Sequence, residues 1–292
     1  MKCLVIGGNR FVGLRVVHAL EQIPGIDLHV LNRTGQVAHT SNAVIYKGDR
    51  LRLESAHLDR DWDLIFDFAC FNEKDARAST DFFGKVGRYI FISTASVYDG
   101  NTGATEDLVV PETLDLKQPP EDPPTYADGK RRAEAVFHQQ SRFPVLSVRF
   151  PLILGPDDYT HRLDFHIDRS KRGEPIYIPN LKARISMISS EDAAKFLVWA
   201  RDQVNLTGPL NVASANPIAL EQLMAQIELI LGKKPKLAPQ EKDDNHSPFG
   251  PDHDWFLNTE KLQSTGFKVR PIDEWLPGLI GAPETGKPRF VH

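Results

Sequence analysis

Cysteine is scarce in this sequence, with 2 among 292 residues. Cys3 and Cys70 both lie in apolar runs that are typical of strands, so we expect two reduced thiols in the core and no disulfide. The sequence also contains no Cys-x-x-Cys and no His-Glu-x-x-His pattern. Histidines and aspartates do cluster within residues 246–254, but this stretch contains prolines and is typical of a loop. We therefore expect no metal site.

Long apolar runs are missing as well, and none reaches the length of a membrane-spanning helix. The opening MKCLVIGG is too short for a signal peptide and is typical of a first strand. The net charge is −4, and because both signs are scattered there is no basic stripe for nucleic acid and no polybasic patch for a membrane. We expect a cytoplasmic globular protein of one large or two smaller domains, without nucleic-acid or membrane partners.

The sequence does contain a series of apolar, strand-like runs separated by helical patterns. These runs cover residues 2–6, 26–34, 43–49, 63–71, 88–100 and 144–156. The run at 63–71 is apolar along most of its length, as in a parallel strand that is covered on both faces. Asp67 within it needs a partner, and we expect its role to be structural. The alternation of strands and helices predicts an α/β fold with a doubly wound parallel sheet.

A glycine turn joins the first strand to the first helical pattern. Gly7, Gly8 and Gly13 leave bare backbone where a pyrophosphate can approach the N-terminus of a helix. A purely structural turn is an equally common alternative. Arg10 stands where the usual fingerprint has a small residue, so it is either a phosphate ligand or a plug in a degenerate site. We favour the ligand because all three glycines are present.

The end of the second strand lacks a carboxylate. Asn32, Arg33 and Thr34 occupy the place where folds that prefer NAD carry an acid for the ribose 2′-hydroxyl. Arg33 is suited to the 2′-phosphate of NADP, with a solvated surface arginine as the alternative. The pattern predicts NADP as cofactor and NAD as the second choice. Asp49 ends the third strand at the edge of the expected adenine pocket and could bond the base.

The stretch TYADGKRRAEAVF begins a helix directly after two prolines. Thr125 can cap this helix, and Asp128 completes a variant of the capping box. Tyr126 and Lys130 then share one face at the positive end of the helix. The ammonium and the helix dipole both favour the phenolate, so we expect a lowered pKa for Tyr126 and proton exchange near neutral pH. An exposed aromatic beside an ordinary surface lysine is the alternative.

Hydroxyl residues end the fifth strand. Thr94 and Ser96 lie at the carboxyl end of a central strand, which is where ligands bind in open α/β sheets. The alternative is that these hydroxyls satisfy a turn. Residues 100–124 follow, rich in Pro, Asp and Glu with little periodicity, and we expect them to form a loop over the site.

Taken in order, these motifs resemble the extended short-chain dehydrogenase/reductase superfamily, the nucleotide-sugar epimerases and dehydratases. The similar segments are VIGGNRFVG, FISTASVYDG, YADGK, SVRFPLILGP, ISMISSEDAAKFLVWA and GPLNVASANPIALEQLM. Arg10, the Asn-Arg-Thr turn and the short helix before the fifth strand resemble an atypical branch that includes chloroplast stem-loop RNA-binding proteins. Many members of that branch have lost a catalytic residue. This chain keeps Tyr126 and Lys130, which favours retained redox chemistry.

The resemblance implies a Rossmann-type NAD(P)-binding domain over residues 1–155, to which 181–214 return. It implies a smaller substrate-binding lobe from residues 156–180 and 215–292. The implied reaction is that of an oxidoreductase, epimerase or dehydratase, in which hydride passes between nicotinamide and a nucleotide sugar or a similar hydroxyl or ketone substrate. The alternative is a non-catalytic NADP-binding or RNA-associated scaffold. A homodimer is compatible with the resemblance.

The resemblance also implies residue roles. Tyr126 is the general acid/base, Lys130 lowers its pKa and holds the nicotinamide ribose, and Thr94 bonds the substrate oxygen. Beside Tyr126 and Lys130, the residues implied in cofactor binding are Gly7, Gly8, Asn9, Arg10, Phe11, Val12, Gly13, Asn32, Arg33, Asp49, Arg50, Ala69 and Phe150. Substrate contacts are implied for Ser96, Tyr159 and Arg162, of which the arginine suits a phosphate or carboxylate.

Overall fold

A seven-stranded parallel sheet forms the centre of the protein, whose computed structural model describes residues 1–56, 58–100, 102–242 and 244–282. The first half of the chain forms β1 (Lys2–Ile6), α1 (Phe11–Glu21), β2 (Asp27–Asn32), β3 (Val44–Lys47), β4 (Leu64–Asp67), α2 (Glu73–Phe82), β5 (Tyr89–Thr94), β6 (Thr102–Ala104), α3 (Tyr126–Gln140), β7 (Val145–Phe150) and β8 (Leu152–Leu154). The second half forms α4 (Arg162–Arg172), β9 (Pro175–Ile176), β10 (Arg184–Ile185), β11 (Met187–Ser189), α5 (Ser190–Ala200), β12 (Gly208–Asn211), β13 (Ile218–Ala219), α6 (Leu220–Leu231), β14 (Lys236–Leu237), β15 (Phe256–Leu257), α7 (Glu260–Ser264) and α8 (Ile272–Ile280).

The order of the strands in the central sheet is β12-β7-β5-β4-β1-β2-β3. From β1 the chain first adds β2 and β3 on one side, and then β4, β5, β7 and β12 on the other. The loops that leave β1 and β4 therefore diverge. In open α/β sheets, ligands bind in the crevice at this reversal. The arrangement confirms the predicted doubly wound α/β fold.

The two faces of the sheet bury alternate residues of the same strand. In β1, Cys3 and Val5 pack with residues of α1 and α5, whereas Leu4 and Ile6 pack with residues of α2 and α3. A strand that is covered on both faces has no polar side, which explains why KCLVI is apolar from its second residue onward. Cys3 and Cys70 are buried free thiols, as predicted.

The predicted strand over residues 144–156 is two strands in the structure. β7 pairs with β5 and β12 of the central sheet, whereas β8 pairs with β11 in a separate two-stranded sheet. Pro151 stands between them and has no N–H to donate, so the ladder breaks at this residue. The fifth strand is also shorter than expected, because after Thr94 the chain enters the 3₁₀ turn Ala95–Tyr98.

Residues 102–124 do not form the predicted loop over the site. Thr102–Ala104 form β6, which pairs with β15. The residues that follow pack beside α3 and β7, where Gln139 of α3 donates to the carbonyl of Leu114 at 2.8 Å and Arg149 of β7 donates to that of Val109 at 2.7 Å. Leu116 packs against the core residues of α3. The described cleft has no lining residue from this segment. The expectation was wrong because a few apolar side chains within a polar stretch anchor it to a different face.

A second core lies between α4, α6 and α8, where the smaller lobe is predicted. Its buried members include Leu163, Ile167, Leu223, Ile227 and Trp275. Leu262 falls within the range assigned to that lobe but packs in the first core, beside α5. Residues 283–292 of the predicted lobe lie outside the described residues. The division into two domains otherwise stays a prediction.

No helix within the described ranges is both long and apolar enough to cross a membrane. The same ranges hold no group of three or more side chains placed to bind a metal ion.

Candidate active site

A cleft of about 920 Å³ opens at the reversal of strand order, above the carboxyl ends of β1, β4, β5 and β7. Every residue predicted for cofactor binding, substrate binding or catalysis lines it. They come from distant parts of the chain and meet because the carboxyl ends of parallel strands share one edge of the sheet. The lining also includes residues that sequence analysis missed, among them Phe68, Phe71, Asp158 and Trp255.

The glycine turn brings bare backbone close to the start of α1. Gly7 and Gly8 have φ of +95° and +74°, which glycine adopts without strain. A Cβ atom on Gly13 would lie 2.8 Å from the Cα of Gly8, so only glycine permits this approach of helix and turn. Arg10 precedes α1 without a side-chain cap, and the N–H groups of the first helical turn are therefore left for an anion.

Arg10 takes a place that differs from both alternatives considered for it. Its guanidinium carbon lies 3.9 Å from the ring centroid of Tyr159, a cation–π geometry. Phe11 meets the same ring edge-on, at 6.0 Å between centroids. The three side chains bridge the glycine turn and the opposite wall of the cleft. The predicted role of Arg10 as a phosphate ligand stays a prediction.

In the turn after β2, Asn32 has a structural role, whereas Arg33 is exposed to the cleft. Asn32 is buried and holds the turn, since its Oδ1 accepts from the N–H of Gly35 at 2.7 Å and its Nδ2 donates to the carbonyl of Gln36 at 3.0 Å. Arg33 is exposed and makes no side-chain hydrogen bond or ion pair within the described part of the chain. Asp49 uses Oδ1 to accept from the N–H of Leu51 at 2.9 Å.

The guanidinium of Arg50 is committed to a buried carboxylate. It donates to both oxygens of Asp67, at 2.7 and 2.8 Å, and to Ser79 Oγ at 2.8 Å. Tyr89 adds a hydroxyl bond to Asp67 at 2.5 Å, and the N–H of Ala69 donates to it at 3.0 Å. The structural role predicted for Asp67 is confirmed. Arg50 also lines the cleft, and its predicted contact with the cofactor stays a prediction.

The N-terminus of α3 places Tyr126 at the cleft. Thr125 caps the helix, and its Oγ1 accepts from the N–H of Asp128 at 3.0 Å, as predicted. The capping box is not completed, because the Asp128 carboxylate accepts from the N–H of Glu121 at 3.2 Å instead. Tyr126 is 53% exposed and lies in the first turn, with Lys130 one turn further on.

The predicted pKa shift of Tyr126 is wrong for this structure. Burial of the hydroxyl in the cleft raises its pKa, although a hydrogen bond with Thr94 opposes that effect. The ammonium of Lys130 lies over the tyrosine ring, 5.8 Å from its centre, but it is not among the groups that lower the pKa of the phenol. It donates instead to the carbonyls of Cys70 at 2.6 Å and Ile92 at 2.7 Å. Burial lowers the pKa of Lys130 to about 8.

The hydroxyls at the end of β5 form a short chain that leads to Tyr126. Thr94 Oγ1 lies 3.2 Å from Ser96 Oγ, to which it donates, and it accepts from the N–H of Ser96 at 3.2 Å. Its other neighbour is the phenol of Tyr126. The two readings proposed for these hydroxyls therefore coexist, since Thr94 both caps a turn and faces the cleft. Phe150, at the end of β7, is a buried part of the lining.

Buried polar side chains join α3 to the strands that carry these hydroxyls. Glu134 of α3 accepts from Ser93 of β5 at 2.5 Å and from Arg149 of β7 at 2.5 and 3.0 Å. This network fixes the distance between the helix of Tyr126 and the strand of Thr94. Sequence analysis missed it, although a glutamate and an arginine at core positions are a signal that each needs a partner.

The wall opposite α3 carries the residues predicted for the substrate. Tyr159 is 52% exposed and lies in the turn before α4. Arg162 begins α4, and its guanidinium has no hydrogen bond or ion pair with the residues described. Tyr159, Arg162 and Tyr126 line the same cleft. After burial, which raises the pKa of Tyr126, the charge of the Arg162 guanidinium acts to lower it.

The middle of the chain, residues 76–213, matches the model of the NAD dependent epimerase/dehydratase family. Among solved structures, UDP-glucuronic acid 4-epimerase from Bacillus cereus in complex with NAD aligns with a TM-score of 0.73 at 17% identity, covering 96% of each chain. The dTDP-glucose 4,6-dehydratase from Bacillus anthracis, also in complex with NAD, gives 0.73 at 17% identity, over 96% of this chain and 95% of that one.

A relative by sequence is the chloroplast stem-loop binding protein of 41 kDa b from Arabidopsis thaliana. It is 25% identical over 212 residues, or 64% of this chain and 51% of the relative. The chain thus spans about half the length of that protein. The family match and the structural alignments confirm the resemblance and the Rossmann-like fold that the sequence motifs predicted.

Proposed function

Because residues 76–213 match the epimerase/dehydratase family, we propose that the protein is an NAD(P)-dependent enzyme of the extended short-chain dehydrogenase type acting on a nucleotide sugar. The observation that carries the proposal is that the Tyr126 phenol, the Thr94 hydroxyl and the glycine turn all line one cleft. Proton transfer and dinucleotide binding then share one cavity.

The cleft fits a dinucleotide on its own geometry. Because Gly13 has no side chain, α1 packs directly against the backbone of Gly8, which sets the start of the helix beside the turn. The uncapped start of α1 offers N–H groups and the positive end of the helix dipole to a pyrophosphate. A bound NAD(P) supplies the hydride donor or acceptor. Residues of the turn, with Ala69 and Phe150 on the floor, would hold it.

NADP is the cofactor that the exposed side of this cleft favours. Arg33 is a free cation next to the position of the adenosine ribose, and the adjacent Asn32 spends its polar atoms on the turn. The acid that selects the ribose 2′-hydroxyl of NAD is replaced by a neutral side chain and a guanidinium. A 2′-phosphate would gain a charge-assisted pair there.

Tyr126 is set to donate a proton rather than to accept one. Its raised pKa keeps the phenol protonated at neutral pH, and Thr94 lies beside it as a second hydroxyl for the same substrate oxygen. We infer that Tyr126 delivers its proton to a carbonyl oxygen as the carbon is reduced. Lys130 acts by position, since it ties the ends of β4 and β5 together beneath the phenol.

Tyr126→Phe tests the proposal because it removes the hydroxyl and keeps the ring. NADPH-dependent turnover of keto nucleotide sugars should fall at least about 100-fold, as general acid–base catalysis supplies 10²–10⁴-fold. NADPH affinity should be unchanged. Tyr177→Phe, in the smaller lobe and away from the cleft, is the matched control. A loss below tenfold would contradict the role, whereas NADPH binding without any turnover in the parent would support the scaffold alternative.

Reductase, epimerase and dehydratase activities can all use a phenol as this proton donor. The homodimer, the cytoplasmic location and the lack of a nucleic-acid partner remain predictions from the sequence.

A further inference from the structure

Asp158 is a buried carboxylate in the wall of the cleft with one oxygen unused. The residue is 8% exposed. Its Oδ1 accepts from the N–H of Thr160 at 2.9 Å and from the Thr160 hydroxyl at 2.6 Å. Its Oδ2 is shielded from solvent and has no hydrogen-bond partner within the described ranges. An unmatched buried acceptor destabilises a fold, so it calls for a physical reason.

The turn at Asp158 uses only one of the two carboxylate oxygens, so it explains the position of Oδ1 but not that of Oδ2. Oδ1 alone makes both bonds to Thr160, and an asparagine would make them equally well through the same atom. Arg162 lies in the same wall but makes no ion pair with Asp158. Burial raises the pKa of the Asp158 carboxyl, and the more distant charge of Arg162 only opposes that rise.

Asp158 lines the same cleft as Tyr126, where the proposed proton transfer takes place. Its neighbour Tyr159 and Arg162 line that cleft as well. Tyr159 is also the ring on which Arg10 of the glycine turn is stacked. A substrate that reaches Tyr126 therefore lies in the cleft that Asp158 and Arg162 line. Contact between the substrate and Oδ2, which is shielded from solvent, requires a local movement of the residues around it.

We propose that Asp158 Oδ2 accepts a hydrogen bond from a hydroxyl or amino group of the substrate and thereby selects substrates that carry such a donor. The proposal rests on the proposed function and narrows its substrate class. A phosphate or carboxylate facing Oδ2 is disfavoured by like charge, whereas Arg162 attracts one. The substrate therefore presents a donor to Asp158 and an anionic group to Arg162.

Binding measurements separate this role from a structural one. Calorimetry with NADPH present compares UDP, UDP-glucose and UDP-glucuronic acid on the parent, Asp158→Asn and Asp61→Asn. Neither sugar carries a ketone, so NADPH does not react. The asparagine at 158 keeps Oδ1 for Thr160 and replaces Oδ2 by an amide N–H₂ donor. Asp61 is the control because it is a carboxylate away from the cleft that already has a partner, Lys85, at 2.7 Å.

We expect at least one of the sugars to bind the parent more tightly than UDP. Asp158→Asn should weaken that sugar roughly ten- to a hundredfold and leave UDP unchanged, since a hydrogen bond to a charged group is lost. Asp61→Asn should change the affinity for neither ligand. NADPH affinity serves as the test of folding, and if Asp158→Asn loses it, Asp158→Ser, which can still form the turn, takes its place.

Three other results would each overturn the inference about Asp158. A sugar affinity that survives in Asp158→Asn overturns the inference and leaves the proposed function standing. An equal loss for UDP and the sugar assigns Asp158 to the fold alone and also overturns it. If the parent binds neither sugar more tightly than UDP, the nucleotide-sugar substrate class is rejected together with this inference.

Discussion

At the scale of single residues, two arginines of the same cleft have opposite surroundings. Arg50 is buried and holds the Asp67 carboxylate through paired N–H groups, whereas Arg33 is exposed and free to meet a ligand. The energetic consequences differ accordingly. Removing Arg50 leaves a buried charge unpaired, which typically costs about 3–5 kcal/mol of stability. Removing Arg33 leaves the fold intact and should change only what the cleft binds.

Arg33→Ala should therefore weaken NADPH roughly ten- to a hundredfold, because a charge-assisted bond contributes about 1.5–3 kcal/mol. NADH affinity should be unchanged, since NADH has no 2′-phosphate. Fluorescence titration of both cofactors measures this. Arg142→Ala, an exposed arginine outside the cleft, is the matched control. An equal loss for both cofactors would contradict selection at this position.

Because Lys130 is buried, we expect the free energy of unfolding to depend on pH. Burial lowers its pKa from 10.5 to about 8 in the folded protein, so between these values the unfolded chain holds a proton that the folded chain has released. Raising the pH through that window favours folding, by at most about 1.4 kcal/mol per pH unit.

The measurement is the free energy of unfolding of the parent minus that of Lys130→Met, from urea titrations at pH 8, 9 and 10. The difference should rise with pH in favour of the parent, whatever its absolute size. A flat difference would show that Lys130 keeps an ordinary pKa in the folded state.

At the scale of elements, the helix cap of α3 positions the proposed catalytic residue Tyr126. The cap, Thr125, stands directly before Tyr126, and the middle of the helix is fixed to the sheet through Glu134 and Arg149. The helix is thus held firmly at its centre, and the first turn depends on the cap. Fraying of that turn would displace the phenol from Thr94.

Thr125→Ala should destabilise the protein by about 1 kcal/mol and lower turnover more than it lowers NADPH affinity. The matched control is Ser189→Ala, which removes an equivalent cap from α5, where Ser189 Oγ accepts from the N–H of Asp192 at 2.9 Å. Denaturation should show similar losses in the two variants. Equal losses of turnover would mean that the catalytic effect of Thr125 is only one of stability.

At the scale of the whole molecule, the cleft is built from both cores. Arg15 of α1 donates to Asp157 at 2.5 Å and to Ser190 at 3.2 Å, and Arg10 stacks on Tyr159. The segment after β8 is therefore held against the nucleotide-binding turn. A ligand bound between them contacts residues that come together only in the folded chain, and so it favours the folded state.

NADPH at 100 times its dissociation constant should raise the free energy of unfolding by about 2.7 kcal/mol. Urea titration with and without the cofactor measures the increment. Gly13→Val should abolish the increment, because its Cβ would lie 2.8 Å from the Cα of Gly8. An increment that persists in this variant would place the cofactor elsewhere.

The sequence by itself determined the features that depend on local spacing. Alternating burial in β1, the positive φ of Gly7 and Gly8, and the cap at Thr125 follow from side-chain size, backbone freedom and hydrogen bonding over a few residues. The order of strands and helices predicted the sheet. Because carboxyl ends of parallel strands meet at one edge, the same order predicted that the residues assigned to the site would share a cleft.

Only the tertiary structure decided where long side chains point and which partners they find. Lys130 has the spacing to face Tyr126, yet the carbonyls of Cys70 and Ile92 bind its ammonium, and burial rather than charge sets the pKa of the phenol. Arg50 turns to Asp67 for the same reason. The neighbouring sequence does not mark Asp158 as a site residue. Whether its Oδ2 has a hydrogen-bond partner depends on residues that approach it only in the folded chain.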